Sequence, residues 1–187
     1  MESAVSLWFG PGFQRLHPLL QELHLRGGVL TGPVEIRIGK GLARPLACAL
    51  ARKLGVPSGS GPHALSVEIG HQPHCLLWNR RFDNGGRMDS TFWPFGAWPD
   101  GLWLEETGPF RMGLAVEVID GGWYWRCRKV WLHGIRLPLM LFPQSSAYKR
   151  IEHGRYRFQV SFKLPLLGTL LSYGGLLECV TSRSPDT

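Results

Sequence analysis

Apolar and polar positions alternate along most of this chain, and a two-residue period predicts strands. Val34, Ile36 and Ile38 alternate with Glu35 and Arg37, and Leu65, Val67 and Ile69 with Ser66 and Glu68. Leu76, Trp78 and Phe82 alternate with Asn79 and Arg81. Phe110, Met112, Leu114, Val116 and Val118 form one face opposite Arg111 and Glu117. Asp120-Gly121-Gly122 predicts a hairpin turn, and GWYWRCRKVWL returns along it with Trp123, Trp125, Cys127 and Trp131 on one face. Glu152-His153-Gly154 predicts another turn, followed by the alternating strand RYRFQVSF at 155–162.

Helical spacing is confined to the N-terminal part. Phe13, Leu16, Leu20 and Leu23 recur at steps of three and four, predicting helix over 11–26. Pro18 breaks or kinks it by starting a second short helix, and Gly27-Gly28 stops it. GLARPLACALARKLGVP gives the clearest helix: Leu42, Leu46, Leu50 and Leu54 share a face, and Gly55 with Pro57 ends it. Helix, strand, helix and then a long run of antiparallel strands is an α+β order. A sheet of about eight strands tends to curl or close. The expected fold is therefore a predominantly antiparallel, strongly curved sheet, a barrel or half-barrel, with two N-terminal helical segments packed on it. Such a sheet leaves room inside for an apolar ligand.

Two stretches of the last third are built alike. HGIRLPLMLFP (133–143) and FKLPLLGTLLSYGGLLE (162–178) each carry an LPL triplet into an apolar run. Proline lacks the N–H that a central strand uses, so Pro138 and Pro165 mark strand ends or bends. The leucines are expected in the sheet core; the alternative is the mouth of a cavity.

The length suits one domain, expected over residues 1–180, with 181–187 as a disordered tail. Eight Trp and nine Phe are many rings, enough to fill a broad core or line a cavity. The net charge of +7 is uneven: residues 1–60 carry +4, 61–120 carry −4 and 121–187 carry +7. That favours a basic patch on the C-terminal part over an all-round basic surface. Cys48, Cys75, Cys127 and Cys179 have neither disulfide-framework nor zinc-ribbon spacing. With no signal-peptide pattern and no apolar run of membrane-spanning length, a cytoplasmic protein is expected.

Candidate chemistry is sparse. Trp78, Arg80 and Phe82 share a strand face, so a guanidinium points with two aromatic rings. An unpaired buried charge is costly, so Arg80 needs either a structural acid or a ligand anion. Glu105, on the same side as Trp103, is the acid on a neighbouring strand best placed to match it. HQPHC (71–75) holds zinc-type ligands without the further ligands a site needs. IGKGLAR (38–44) is neither GxGxxG nor a P-loop, and a glycine cap turn explains it. In WYWRCRKVW the strand period puts rings on one face and cations on the other, which argues against nucleic-acid binding. No nucleophile elbow or HExxH motif is present, and no metal or cofactor is called for.

The segments FGPGFQRLHPLLQELH, GKGLARPLACALARKLGVP, LLWNRRF with Ser90, LEETGPFRM, LHGIRLPLMLFP and HGRYRFQVSFKLPLLGTLLSYGGLLE together carry a resemblance. Over about residues 9–179 the chain resembles an uncharacterised bacterial domain-of-unknown-function family. Its members occur alone or as the C-terminal module behind a saccharopine-dehydrogenase-like, NAD(P)-binding domain. Matching positions include Trp78, Arg80, Phe82, Glu105, Gly108, Pro109, Pro138, Arg155, Pro165, Gly168, Tyr173 and Gly175. The resemblance implies a role beside a redox enzyme, here a separate NAD(P)-dependent oxidoreductase. The leading expectation is a non-catalytic binding module for a lipid-like or polyketide-like molecule with an anionic end, held by Arg80, Trp78, Phe82, Glu105 and Tyr173. The alternatives are an enzyme or enzyme subunit using Glu105 and Tyr173, and nucleic-acid binding through the basic C-terminal face.

Overall fold

A computed structural model describes residues 2–107 and 110–180. The predicted strands form, and they join into one antiparallel sheet that closes on itself. In chain order these are β1 (Gly28–Ile38), β2 (Gly61–Gln72), β3 (Cys75–Phe82), β4 (Arg87–Phe95), β5 (Leu102–Thr107) and β6 (Phe110–Ile119). There follow β7 (Gly122–Leu132), β8 (Ile135–Leu137), β9 (Gln144–Glu152), β10 (Arg155–Leu164) and β11 (Gly168–Val180). Ten strands make the barrel, because β1 pairs with both β2 and β11 while β6 pairs with β7. Closure gives every barrel strand two neighbours, so an edge is left only where two of them part. Three hairpins turn on paired positive-φ residues, Asp120-Gly121, His133-Gly134 and His153-Gly154. These are the conformations that match strand twist in two-residue loops. At Gly175 an added Cβ would lie 2.1 Å from the Pro33 carbonyl oxygen, so only glycine lets β11 press this closely on β1.

The wall has one gap. Strand β7 pairs with β9 only over Trp123–Arg126, and farther along its Val130–Leu132 pairs with the short β8 instead. Beyond Arg126 the two barrel strands therefore part, and β8 with a 3-10 turn at Leu139–Leu141 occupies the space between them. A bulge lies at the same place, where Gly113 faces Lys129 but Leu114 faces Cys127, leaving Arg128 as the extra residue. This corrects the expected face of β7. Trp123 and Trp125 point inward, but the bulge reverses the parity, so Val130 is buried and Trp131 turns to the other side.

Helices close one end of the barrel. The six-residue α1 (Ala4–Phe9) starts at a Ser3–Ser6 capping box and stops at Gly10. It is a third helix, beyond the two expected segments. The predicted helix 11–26 divides into a 3-10 turn at Gly10–Arg15 and α2 (Pro18–Arg26), with Pro18 as first residue and His17 accepting the Leu19 N–H. Trp8 and Phe9 of α1 pack on Trp103 and Trp123 inside the barrel, forming an aromatic plug. The remaining helix, α3 (Arg44–Lys53), lies at the opposite end, between β1 and β2. Its buried face is alanine, Ala47 and Ala51, which allows close approach to β1 and β11. The leucine stripe does not pack as core: Leu50 and Leu54 face the interior space, while Leu42 and Leu46 are exposed.

The LPL leucines also depart from the expected core position. Pro138 follows β8 and Pro165 follows β10, so both prolines fall where strands end. Leu139 and Leu166 are exposed at the end of the barrel that α3 occupies, whereas Leu170, Leu171 and Leu177 of β11 are buried in the wall. Residues 181–187, the expected tail, lie outside the described residues, as do Gly108 and Pro109.

Candidate functional site

Between the aromatic plug and the α3 end lies a cavity of about 470 Å³. That volume falls within the usual range for a small-molecule pocket. Trp78, Phe92, Leu114, Trp125, Val160 and Phe162 make most of its wall, and Leu50 and Leu54 of α3 with Leu137 and Phe142 stand toward the gap between β7 and β9. An apolar ligand would gain about 25 cal/mol for each Å² of apolar surface it buries here.

A buried polar cluster interrupts the wall, whose other polar lining residues are Lys53, Ser145 and Ser146. Arg80 on β3, Glu105 on β5 and Tyr173 on β11 all line the cavity and are buried. Arg80 and Glu105 are not on adjacent strands as anticipated; β4 runs between them. Ser90 of β4 bridges the two. Arg80 Nη1 donates to Ser90 Oγ at 3.1 Å, and the same hydroxyl lies close enough to the Glu105 carboxyl to lower its proton affinity. Burial pushes the Glu105 carboxyl upward, and Arg80 and Ser90 pull it partly back. Burial likewise raises the Tyr173 hydroxyl, which stays neutral and rests 3.7 Å from the Met88 sulfur. The Arg80 guanidinium lies 5.1 Å from the Trp78 ring centre. The Trp78 indole N–H has no hydrogen-bond partner within the protein. Phe82 is buried but is not part of the cavity lining; it packs edge-on against Tyr173 at 6.0 Å and holds that ring in place.

A second buried centre was not anticipated from the sequence. Lys149 on β9 is 1% exposed, and no carboxylate among the described residues forms an ion pair with it. Its Nζ lies 2.6 Å from His24 Nε2 and 3.7 and 4.3 Å from the ring centres of Trp123 and Trp78. Burial, then the charge of Arg80, lowers the Lys149 ammonium well below the ordinary lysine range. Burial, then Lys149 and His71, lowers His24 well below the ordinary imidazole range. Both are therefore held toward their neutral forms, as expected for basic groups removed from water without a counter-charge. Trp78 and Trp125 stand between this centre and the cavity, whose lining does not include Lys149. The sequence carried a signal for it: Ala147, Lys149 and Ile151 alternate onto the inward face, and Lys149 pairs directly across from Trp123.

The fold and cavity define a closed antiparallel β-barrel, plugged by helices at one end and holding an apolar chamber with a buried polar cluster. The chain belongs to the family described as Domain of unknown function (DUF4166), whose family model matches residues 16–177. No curated protein matches the chain. Among the described residues no helix is long and apolar enough to cross a membrane.

Proposed function

We propose that this barrel is a binding module for an elongated apolar molecule with an anionic end, lodged with its apolar part in the cavity and its anion toward Arg80. The observation that carries this reading is the buried cluster of Arg80, Glu105 and Tyr173 in a mostly apolar chamber of about 470 Å³. Burial raises the Glu105 carboxyl, and among the described residues no carboxylate forms an ion pair with Arg80, so the guanidinium is free to meet a ligand anion. A lipid-like or polyketide-like acid has this chemistry. The resemblance to modules that follow an NAD(P)-binding domain supports a role as accessory to a separate NAD(P)-dependent oxidoreductase.

Trp78 and Trp125 line the cavity, so intrinsic fluorescence reports occupancy. Titration with straight-chain carboxylates and the alcohols of matching length is expected to favour the carboxylates by roughly tenfold, the worth of one charge-assisted hydrogen bond. The double variant Arg80→Met/Glu105→Gln is expected to erase that preference while still binding the alcohol. Equal affinity for acid and alcohol in the unaltered protein, or no response to either, counts against the reading.

The position of Glu105 beside Tyr173 in the cavity wall favours a second reading, an enzyme acting on such a molecule. The two readings differ in the ligand recovered from Glu105→Gln. A binding module carries the same molecule as the unaltered protein; an enzyme carries its unconverted substrate, with a different mass.

A further inference from the structure

The barrel end that opens toward the cavity is dressed for contact with something apolar and negatively charged. The connections that meet there include the β1–β2 crossover with α3, the β3–β4 hairpin, the segment from β7 through β8 to β9, and the β10–β11 turn. Leu42, Ile135, Met140 and Leu166 project from three of these, with exposures between 71% and 106%. They are the four most exposed large apolar side chains among the described residues, and all four fall at this end. Leu166 is the clearest case. It sits at φ 68° in a turn closed by the Leu167 N–H to the Pro165 carbonyl, 2.9 Å away. A bulky residue there carries backbone strain that glycine would avoid, yet the tip of this turn is a leucine in full contact with solvent.

Cations stand among these leucines. Lys40, Lys53, Arg136 and Lys163 are exposed at the same end, and none has an ion-pair partner among the described residues. The acids nearby are already engaged: Asp83 by His63, Asp89 by Arg81 and Glu106 by Arg111. The net field of this end is therefore positive. Apolar tips on separate loops, interleaved with unpaired Lys and Arg, are suited to the boundary between lipid tails and anionic head groups.

We infer that this end of the barrel docks on an anionic lipid surface, with Leu166, Met140, Leu42 and Ile135 entering the head-group region and the cavity opening toward the bilayer. The inference rests on the reading of the cavity as a ligand site, for which the bilayer is the source or destination of the apolar molecule. The passage is the mouth between α3 and the β8 segment, where Leu50, Leu54, Leu137 and Phe142 line the cavity.

Flotation of the full chain with vesicles of phosphatidylcholine, alone or with a third of the lipid as phosphatidylserine, tests this. The protein is expected to float with the anionic vesicles at low salt and to bind them more weakly as salt rises. Leu166→Ser/Met140→Ser is expected to bind at least about tenfold more weakly. Each of Lys40→Glu and Arg136→Glu is expected to bind about fivefold or more weakly. All these positions are exposed, so unchanged thermal midpoints are expected, and Leu7→Ser at the plugged end serves as the variant that leaves binding intact. Failure of the unaltered protein to float with anionic vesicles, or equal flotation of the double serine variant, overturns the inference. So does retention at this surface by a purified oxidoreductase without any lipid affinity, since that makes the end a protein interface. Carboxylate uptake in solution without vesicle binding defeats docking alone; vesicle binding without carboxylate uptake leaves docking standing and removes the ligand reading.

Discussion

Arg80→Met is expected to cost about 1–3 kcal/mol of folding stability at neutral pH, because it removes the donor to buried Ser90 and the charge that pulls the Glu105 carboxyl down. The cost depends on pH in a direction the site dictates. Glu105 is raised in the folded protein above its ordinary carboxyl value. The native state therefore holds a proton that the unfolded chain releases, and the stability this group contributes falls as pH rises from about 4.5 through the native value. Without Arg80 that native value rises further and the loss extends to higher pH. Denaturant midpoints should thus show the variant close to the unaltered protein near about pH 5 and well below it near about pH 8. Arg80→Met/Glu105→Gln should recover most of the loss and remove its pH dependence. A loss that does not vary with pH would mean that Arg80 stabilises by packing rather than by its charge.

The second large effect belongs to Lys149. Its native value is lowered well below about 10.5. Between the two values the unfolded chain binds a proton that the folded chain does not, so this group makes the protein more stable as pH rises. Lys149→Met removes that dependence while keeping the volume of the side chain among Trp78, Trp123 and His24. The difference in unfolding free energy between the two proteins is expected to move by up to about 1.4 kcal/mol per pH unit between the lowered native value and about 10.5. His24 is lowered and neutral across this range in both proteins, and taking the difference cancels the other titrating groups. A difference that is flat with pH would show that Lys149 keeps its charge inside the aromatic box.

The contrast between these two centres shows what a sequence of this kind makes legible. Alternation exposed the strands, and paired turn residues such as Asp120-Gly121 exposed the hairpins, because both signals are local. Trp78, Arg80 and Phe82 could be placed together for the same reason: they occupy alternate positions of one strand. Glu105 was matched to Arg80 by its side of the chain, but the β4 strand and Ser90 between them could not be read, since that is a matter of sheet order rather than of period. Trp131 was assigned to the wrong face because a single extra residue, Arg128, inverts everything after it and leaves no mark in composition. The stripe Leu42-Leu46-Leu50-Leu54 was a true helical face, but periodicity names a face without naming what it meets. Here the small alanines took the core, and the leucines took the cavity and its rim. The LPL runs were ambiguous for the same reason: their prolines fixed where the strands end, and only closure of the barrel put those ends around an opening.

The central claim is that the chamber behind those leucines carries a molecule. Native mass spectrometry of the protein purified gently from the cells that make it tests this most directly. The account predicts a complex heavier than the bare chain by one small apolar acid, missing from Val160→Trp, in which an indole fills the chamber. Only the bare polypeptide mass in the unaltered protein, with the cavity lined as described, would contradict it.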